Sequence, residues 1–308
     1  MRQRKRRRKV DCLGLGIIPL DYLIRVHSLP PPGGKADAHD LCIQGGGPIP
    51  NCLTGLSRLG MSAALIAGLG DDIVGRFIRE EIAEESIDTY FIVKKNARSD
   101  SAYGFVETGS GRRTIMLSRG IHIRPSDLKT SDYPVPRVVH LDGRDLEACM
   151  RLAKWGRRVG AVISFDVGSI RNDVSPVFPL VDHLVVSDAY ALGFTRKRTV
   201  RTAIKKLMAH CAGTIVVTQG TRGATGYEDA RFYHHPAFKV KVADTTGAGD
   251  SFHAGYLYAQ LKGYAMPERL RYGAAVAALK CTKPGARAGN PTIRQLNAFL
   301  ARNPETYD

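Results

Sequence analysis

The sequence predicts an α/β fold: a doubly wound, mostly parallel sheet flanked by helices, with a small second β-sheet beside it. From Val138 onward, short apolar runs typical of strands alternate with runs of helical periodicity, the pattern of parallel strands joined by helical crossovers. The segments 36–43 and 101–117 alternate like strands but have no helix attached, which favours a separate sheet. A Gly-rich turn at 244–252 precedes an apolar helical segment.

The composition is that of a soluble globular protein. The chain has 308 residues, of which 44% are hydrophobic and 24% charged, enough for one large domain. No apolar run approaches the roughly 20 residues that cross a bilayer, so no membrane association is expected. The six cysteines are scattered without a C-x-x-C pair. This argues against a zinc site or a disulfide framework and predicts a cytoplasmic protein.

The chain is strongly basic, with a net charge of +16 that is partly concentrated in residues 1–9. We predict that this segment is a disordered, solvated tail and that residues 10–308 form the folded domain. A start codon placed too early is the other explanation for this tail. A nucleic-acid or anionic-membrane role is the alternative, and we do not expect a nucleic-acid partner.

The first predicted strand, 10–18, is followed by a candidate ligand contact. Gly14 and Gly16 do not form a dinucleotide-binding turn, because no third glycine follows at the required spacing and Pro19 interrupts the helix. Asp21 comes next, where open α/β sheets place ligand contacts at the carboxyl ends of parallel strands. A turn or capping aspartate is the alternative reading of this residue.

Three consecutive glycines, Gly45, Gly46 and Gly47, follow the predicted strand 36–43. Their small size lets the backbone approach a ligand closely. No lysine follows at P-loop spacing, so this is not a P-loop. Asn51 is expected to start a helix over 51–59, closed by Gly60.

The remaining segments complete the predicted fold. Segments 102–108 and 114–117 read as a hairpin around the turn 109–111, and with 36–43 they form the small sheet. The main-sheet strands are predicted at 63–69, 138–141, 162–166, 184–186 and 214–218, with an antiparallel pair at 224–227 and 232–235. Helices are predicted at 71–86, 146–159, 199–211, 267–280 and 292–302.

The stretch 244–252, D-T-T-G-A-G-D-S-F, carries the clearest chemical signal. It follows a strand-like run at 238–242 and opens a helix, whose first backbone amides and positive dipole end favour an anion such as phosphate. Asp250 lies inside this turn, and a general base for a hydroxyl that attacks a phosphoryl group would explain a carboxylate there. An ordinary helix N-terminus with an acidic first turn is the alternative.

The string D-T-T-G-A-G-D-S-F resembles the C-terminal signature of the ribokinase (PfkB) family of carbohydrate kinases. Three further segments, at 44–75, 216–224 and 276–291, resemble the family's sugar-binding and nucleotide-binding motifs, and the resemblance spans about 10–302. It implies a ribokinase-like fold whose small sheet, formed by about 22–44 and 95–118, covers the sugar as a lid and often mediates a dimer. It also implies ATP and Mg²⁺ as cofactors, with K⁺ as an optional monovalent cation.

The resemblance assigns roles to individual residues. Asp250 looks like the catalytic base, and the backbone of Gly247, Ala248 and Gly249 looks like the anion hole. The positions that resemble sugar contacts are Asp21, Gly46, Gly47 and Asn51. The positions that resemble nucleotide contacts are Thr218, Gly220, Gly223 and Gly285. The positions that resemble a monovalent-cation site are Asp244 and Thr246.

Two resemblances within the family concern the acceptor. G-R-R-T-I-M-L and V-V-H-L-D-G-R-D are similar to ketohexokinase, which implies that Arg113 and Arg144 reach the sugar. The segments around 236–255 and 276–289 are more similar to bacterial sulfofructose kinase. The implied activity is ATP-dependent phosphorylation of a hydroxyl on a ketose or related sugar, with a sulfofructose or sugar-phosphate acceptor as the alternative. The guanidinium forks suit an anionic acceptor, unless they pack in the lid or pair with Asp142 or Asp145.

The sequence also departs from the family pattern. The family's N-x-x-E motif for magnesium and phosphate is replaced near Asp188, and Ala274 stands where an asparagine lies near adenine. A nucleoside kinase is a second alternative, for which Tyr103 and Phe105 are the candidate base-stacking residues. A third is a non-catalytic member that senses sugars or nucleotides. The expected partners are the sugar and ATP, with a homodimer through the lid.

Overall fold

The fold is taken from a computed structural model, which describes residues 8–108, 113–170 and 172–304. The strands in chain order are β1 (Lys9–Leu15), β2 (Leu20–Val26), β3 (Asp40–Gly45), β4 (Ala63–Gly70), β5 (Ile87–Lys94), β6 (Ser101–Glu107), β7 (Arg113–Ser118), β8 (Val135–Leu141), β9 (Val162–Val167), β10 (His183–Ser187), β11 (Thr214–Thr218), β12 (Ala224–Glu228) and β13 (Arg231–His235). The helices are α1 (Pro48–Arg58), α2 (Ile73–Ala83), α3 (Leu146–Arg158), α4 (Asp188–Thr195), α5 (Val200–Leu207), α6 (Ala248–Leu261), α7 (Met266–Cys281) and α8 (Ile293–Arg302).

The main sheet has nine strands in the order β13-β12-β11-β10-β9-β8-β1-β4-β5. The strands from β11 to β5 in this order pair in parallel, whereas β12 and β13 form an antiparallel edge. Two apolar clusters pack on the sheet, one with helices α3 to α5 and the other with α1, α2, α6, α7 and α8. Helices therefore cover both faces, and the predicted doubly wound fold is confirmed.

A separate four-stranded sheet, in the order β3-β2-β6-β7, confirms the predicted lid. Its strand register places alternate residues on two faces. The inner face lines the clefts described below, with Leu23 and Val106 among its residues. The outer face carries Tyr22, Ile24, Leu41, Ile43, Tyr103, Phe105, Thr114 and Met116. The predicted hairpin turn at 109–111 lies outside the described residues.

Two local predictions around the site are wrong. The run 238–242 forms no strand; the amides of Ala243 and Asp244 that follow it donate to the carbonyl of Cys281, at 2.8 and 3.2 Å, so they make no ladder bonds. Helix α1 begins at Pro48 rather than Asn51, because a proline in the first helical turn loses no intrahelical hydrogen bond.

Asp21 lies near the start of β2, in the lid, and not at the carboxyl end of a parallel strand. Helix α4, directly after β10, was not predicted. Strand β5, at the edge of the main sheet, was not predicted either.

The first strand begins one residue earlier than predicted, because β1 starts at Lys9. Arg8 forms an ion pair of 2.7 Å with Asp88. Residues 1–7, most of the predicted tail, lie outside the described part of the chain. No helix within that part is long and apolar enough to cross a membrane.

Candidate active site

The turn before helix α6 has the geometry of an anion site. Gly247 is the N-cap residue with φ +75°, a left-handed conformation that glycine adopts without strain. The Ala248 amide donates to the Thr245 carbonyl at 3.2 Å. The next two amides, of Gly249 and Asp250, have no backbone acceptor among the described residues. Gly249 also faces open space, with no atom within 4 Å of a would-be Cβ, so an anion can approach this helix end.

Asp250 has the environment of a general base. Its Oδ2 accepts a hydrogen bond of 2.7 Å from Nδ2 of Asn51. Burial is the main cause of a pKa of about 7 for Asp250; the nearby Asp166 also raises the pKa, and Asn51, His253 and Lys280 lower it. A carboxyl whose pKa lies near neutrality can both take and release a proton at physiological pH.

The predicted sugar contacts come together beside Asp250. A Cβ on Gly46 would collide with both carboxyl oxygens of Asp21, so this carboxylate lies directly over the Gly46 backbone. Gly47 caps helix α1 with φ +97°. Burial raises the pKa of Asp21 to about 7; Arg287 opposes this, and Asp250 adds to it.

Arg287, which the sequence reasoning missed, joins these parts and is only 5% exposed. Its Nε donates to Oδ1 of Asn51 at 3.1 Å, and its Nη2 donates to the Gly46 carbonyl at 2.8 Å. Its Nη1 pairs with Oε2 of Glu81 at 3.1 Å. The sequence did show an arginine two residues after Gly285, within the segment 276–291 that resembles a family motif. Nothing in the sequence indicated that this arginine contacts the triple glycine.

Arg144 lines a cleft of about 400 Å³ whose other walls include Pro48, Leu117 of β7 and Asp166. The charge of Arg144 lowers the pKa of Asp142 and of Asp166, but neither carboxylate forms an ion pair with it. Asp142 accepts the amides of Ile17 and Arg144, each at 3.0 Å. Asp145 is bound by the side chains of Arg119 and His122 and by the backbone amide of Ile123. Across the described chain, the Arg144 side chain has no ion pair.

Arg113, the other predicted arginine, cannot be placed in the same way. Its backbone pairs with Val106 at the start of β7. Its side chain lies outside the described residues, and the prediction for this residue stays a prediction.

A buried cluster of His140, Asp166 and His253 lies behind Asp250. His253 Nε2 is 3.2 Å from Asp166 Oδ1, and the three residues offer ligand atoms within 4.8 Å of one another. Burial would raise the pKa of Asp166, but the interaction with His253 outweighs it and the pKa is lowered. Burial lowers the pKa of His140 to about 3, so that imidazole is neutral. The members come from β8, β9 and α6, and no sequence spacing indicated them.

The predicted nucleotide residues divide between two clefts. Thr218, Gly220 and Gly223 line an apolar cleft of about 270 Å³ together with Gly249 and Ala274. Gly223 has φ +88°, and a Cβ there would collide with the His235 carbonyl.

Gly285 lines a neighbouring cleft of about 420 Å³ with Asp244 and Thr246. The Asp244 carboxylate accepts the amides of Thr246 and Gly285, at 2.8 and 2.9 Å. The carbonyl of Asp244 accepts a hydrogen bond of 2.7 Å from Nζ of Lys280. Asp188, the nearest acid to the missing magnesium motif, is paired with Arg222 at 2.6 Å.

Comparison with known proteins identifies relatives along nearly the whole chain. The ATP-dependent ribose-1-phosphate kinase of Halopiger xanaduensis is 25% identical over 299 residues, which are 95% of this chain and 98% of that protein. Thermotoga maritima ribokinase superposes with a TM-score of 0.84 at 21% identity, covering 95% of this chain and 99% of that one. Arabidopsis thaliana ribokinase, solved with ribose and ATP, gives a TM-score of 0.78 at 21% identity with the same coverage.

The family itself is shown by sequence. The sequence model described as pfkB family carbohydrate kinase matches residues 7–293, a span that includes the lid, the three clefts and the turn at Asp250. The resemblance noted from the motifs is thereby confirmed, and this chain belongs to the pfkB family of carbohydrate kinases.

Proposed function

We propose that this protein transfers the γ-phosphoryl group of ATP to a hydroxyl of a sugar, with Asp250 as the general base. The observation that carries the proposal is the position of Asp250 at the start of α6. On one side lie Asp21, Gly46 and Asn51, and on the other the apolar cleft that includes Gly249. An acceptor hydroxyl and a phosphoryl donor can therefore meet at this carboxylate.

The proposed chemistry follows from this arrangement. Asp250 accepts the proton of the sugar hydroxyl as the hydroxyl oxygen attacks the γ-phosphorus of ATP, and ADP leaves. The backbone of Gly247, Ala248 and Gly249 supports the charge on the transferring group, with the Gly249 amide best placed to donate. Asp21 and the Gly46 backbone bind and orient sugar hydroxyls. The apolar cleft with Thr218, Gly220 and Gly223 is the nucleotide site, and Gly285 supports the turn through Asp244.

The residue that fits magnesium is Asp166. It lines the cleft next to Asp250, its pKa is lowered despite burial, and carboxylate oxygen is a ligand that Mg²⁺ prefers. Asp188 fits less well because Arg222 occupies it. When bound with ATP, the ion neutralises phosphate charge.

Arg144 supports an anionic sugar as the acceptor. It lines the cleft and has no ion pair in the described chain, and a cationic fork there would match a phosphate, sulfonate or carboxylate. The ribose-1-phosphate kinase relative is also named for an anionic substrate. A neutral ketose, as the ketohexokinase resemblance implies, is the second candidate.

An assay of ADP release separates these acceptors. Neutral ketoses, sugar phosphates, sulfofructose, aldonic acids, aldoses and nucleosides are offered with ATP and Mg²⁺ to the wild type, to Arg144→Met and to Arg157→Met. Arg157 is an exposed arginine paired with Asp182 and is the matched control. An anionic acceptor predicts a KM that rises at least ~10-fold in Arg144→Met alone. Equal turnover by both variants, or a neutral sugar as the best substrate, contradicts it.

The nucleoside-kinase alternative rested on two aromatic residues of the lid. Tyr103 and Phe105 belong to the outer face of the lid, and Tyr103 stacks on Tyr22 with ring centroids 5.2 Å apart. Neither ring faces the clefts that adjoin Asp250. Turnover of nucleosides alone in the same assay would restore this alternative, and turnover of nothing would favour the non-catalytic one.

The outer face of the lid supports a homodimer. Four of its apolar side chains are 40–56% exposed, namely Leu41, Ile43, Tyr103 and Met116. A contiguous apolar sheet face of this kind is costly to leave in water and can be covered by the same face of a second copy. Light scattering of the wild type and of Ile43→Glu tests it. A dimer that becomes a monomer in the variant is expected, and a monomeric wild type contradicts it.

A further inference from the structure

Lys280, in the last turn of α7, is a buried cation that the proposed chemistry has not used. Its side chain is 0% exposed, in the class of residue that is almost never fully buried without a partner. Burying an ammonium costs free energy unless hydrogen bonds and opposite charge compensate it. Its position therefore calls for a functional reason.

The ammonium of Lys280 is directed at the turn that leads into α6. Nζ donates to the carbonyl oxygen of Asp244 at 2.7 Å, and the Asp244 carboxylate in turn accepts the amides of Thr246 and Gly285. Asp244 is thus held at two points, its carboxylate by two backbone amides and its carbonyl by the buried ammonium.

The surrounding backbone is shaped to hold this lysine. A Cβ on Gly289 would stand 2.6 Å from the Lys280 carbonyl and 3.1 Å from its Cγ, so only glycine leaves room for the lysine stem. Behind the turn, a Cβ on Gly247 would stand 2.9 Å from the Cβ of Ala286. The segment after α7 therefore packs against both the lysine and the anion turn.

The charge of Lys280 is felt at the reacting groups. It contributes to lowering the pKa of Asp250, against burial and Asp166, which raise it. A fixed positive charge in a site of low dielectric also stabilises a phosphoryl group as it arrives at the neighbouring amides. A monovalent cation placed on the Asp244 carbonyl would supply the same charge, and Lys280 already occupies that oxygen.

We propose that the Lys280 ammonium is the permanent cation of the phosphoryl site, which holds the turn from Asp244 to Gly247 and makes the enzyme independent of added K⁺. The inference rests on the proposed kinase function. Lys280 acts through the turn and through its charge, and it is a positioning residue that touches no substrate.

The test compares the wild type with Lys280→Met and with the control Lys206→Met. Lys206 is an exposed lysine of α5, far from Lys280 in sequence. The kcat is measured in tetramethylammonium, sodium, potassium and ammonium chloride at equal ionic strength. Wild type and Lys206→Met are expected to vary less than about twofold. Lys280→Met is expected to lose ~10- to 100-fold in tetramethylammonium and to recover in part with K⁺ or NH₄⁺. A wild type activated ~10-fold by K⁺, or a Lys280→Met variant unaffected in tetramethylammonium, overturns the proposal.

A measurement without substrates separates this inference from the kinase proposal. The Tm of Lys280→Met is expected to rise by roughly 2–4 °C in potassium relative to tetramethylammonium chloride, while that of the wild type does not. A variant whose Tm ignores the cation contradicts the proposal. If Lys280→Met does not fold, Lys280→Arg is expected to retain both charge and cation independence, and the wild-type cation series remains decisive.

Discussion

The side-chain amide of Asn51 donates a hydrogen bond of 2.7 Å to the carboxylate of Asp250. The two residues are far apart in sequence, on α1 and α6, and the bond joins the sugar side of the site to the anion turn. Arg287 fixes the orientation of the Asn51 amide by donating to its Oδ1 at 3.1 Å. The proposed base is therefore held in place by a chain of hydrogen bonds before any substrate arrives, which is the preorganisation that catalysis needs.

Asp166→Asn is expected to shift the acidic limb of the profile of kcat/KM against pH. Asp250 acts as a base when ionised, so activity falls as pH drops through its pKa of about 7. Asp166 raises that pKa by like-charge repulsion, and its removal is expected to move the limb to lower pH. The limb is measured over pH 5–9 regardless of how far the variant lowers kcat.

Asp21→Asn is the control for this assignment, since burial also raises the pKa of Asp21 to about 7. If the limb belongs to Asp250, it persists in Asp21→Asn. A limb that stays in place in Asp166→Asn and vanishes in Asp21→Asn would assign the titration to Asp21 instead.

Asp250→Asn is expected to stabilise the protein at high pH. A folded pKa of about 7, raised from 3.8, means that the native state favours the protonated carboxyl. Its contribution to stability is therefore full below pH ~4 and is lost as pH rises through about 7. Asparagine resembles the protonated form, so the Tm difference from wild type should be positive at pH 8 and near zero at pH 4. The exposed Asp37→Asn is the control and should show no such trend.

Gly223→Ala is expected to raise the KM for ATP at least ~10-fold, because its Cβ would collide with the His235 carbonyl and distort the wall of the apolar cleft. Gly60→Ala is the matched control. It has a similar φ of +86°, but a Cβ there meets no atom within 4 Å. Gly60→Ala carries the backbone strain alone, so it should lower the Tm without changing the KM. Equal KM values for the two variants would contradict a nucleotide role for this cleft.

Much of the fold was predictable because its signals are local. The alternation of strands and helices predicted the parallel sheet. The turn before α6 was recognisable because Gly247, Gly249 and Asp250 lie within a few residues of one another. The run 238–242 misled because β-propensity does not decide pairing: the backbone after it bonds to Cys281, which lies on a helix.

The parts of the site that escaped prediction are tertiary. Arg287 and Lys280 are both buried cations in the segment identified as nucleotide-binding, yet one faces the sugar loop and the other the anion turn. His253 follows Asp250 by three residues, but its partner Asp166 comes from β9. Such pairings depend on how elements pack, and a single sequence carries no distance information about them.

The most direct test of the central claim is the kcat of Asp250→Asn for the sugar that the wild type phosphorylates best. The substitution keeps the size of the side chain and removes the basic oxygen. We expect kcat to fall by roughly 10²- to 10⁴-fold, the contribution of a positioned general base, while the Tm is maintained or raised. A folded variant whose kcat stays within a few-fold of wild type would show that Asp250 does not take the hydroxyl proton.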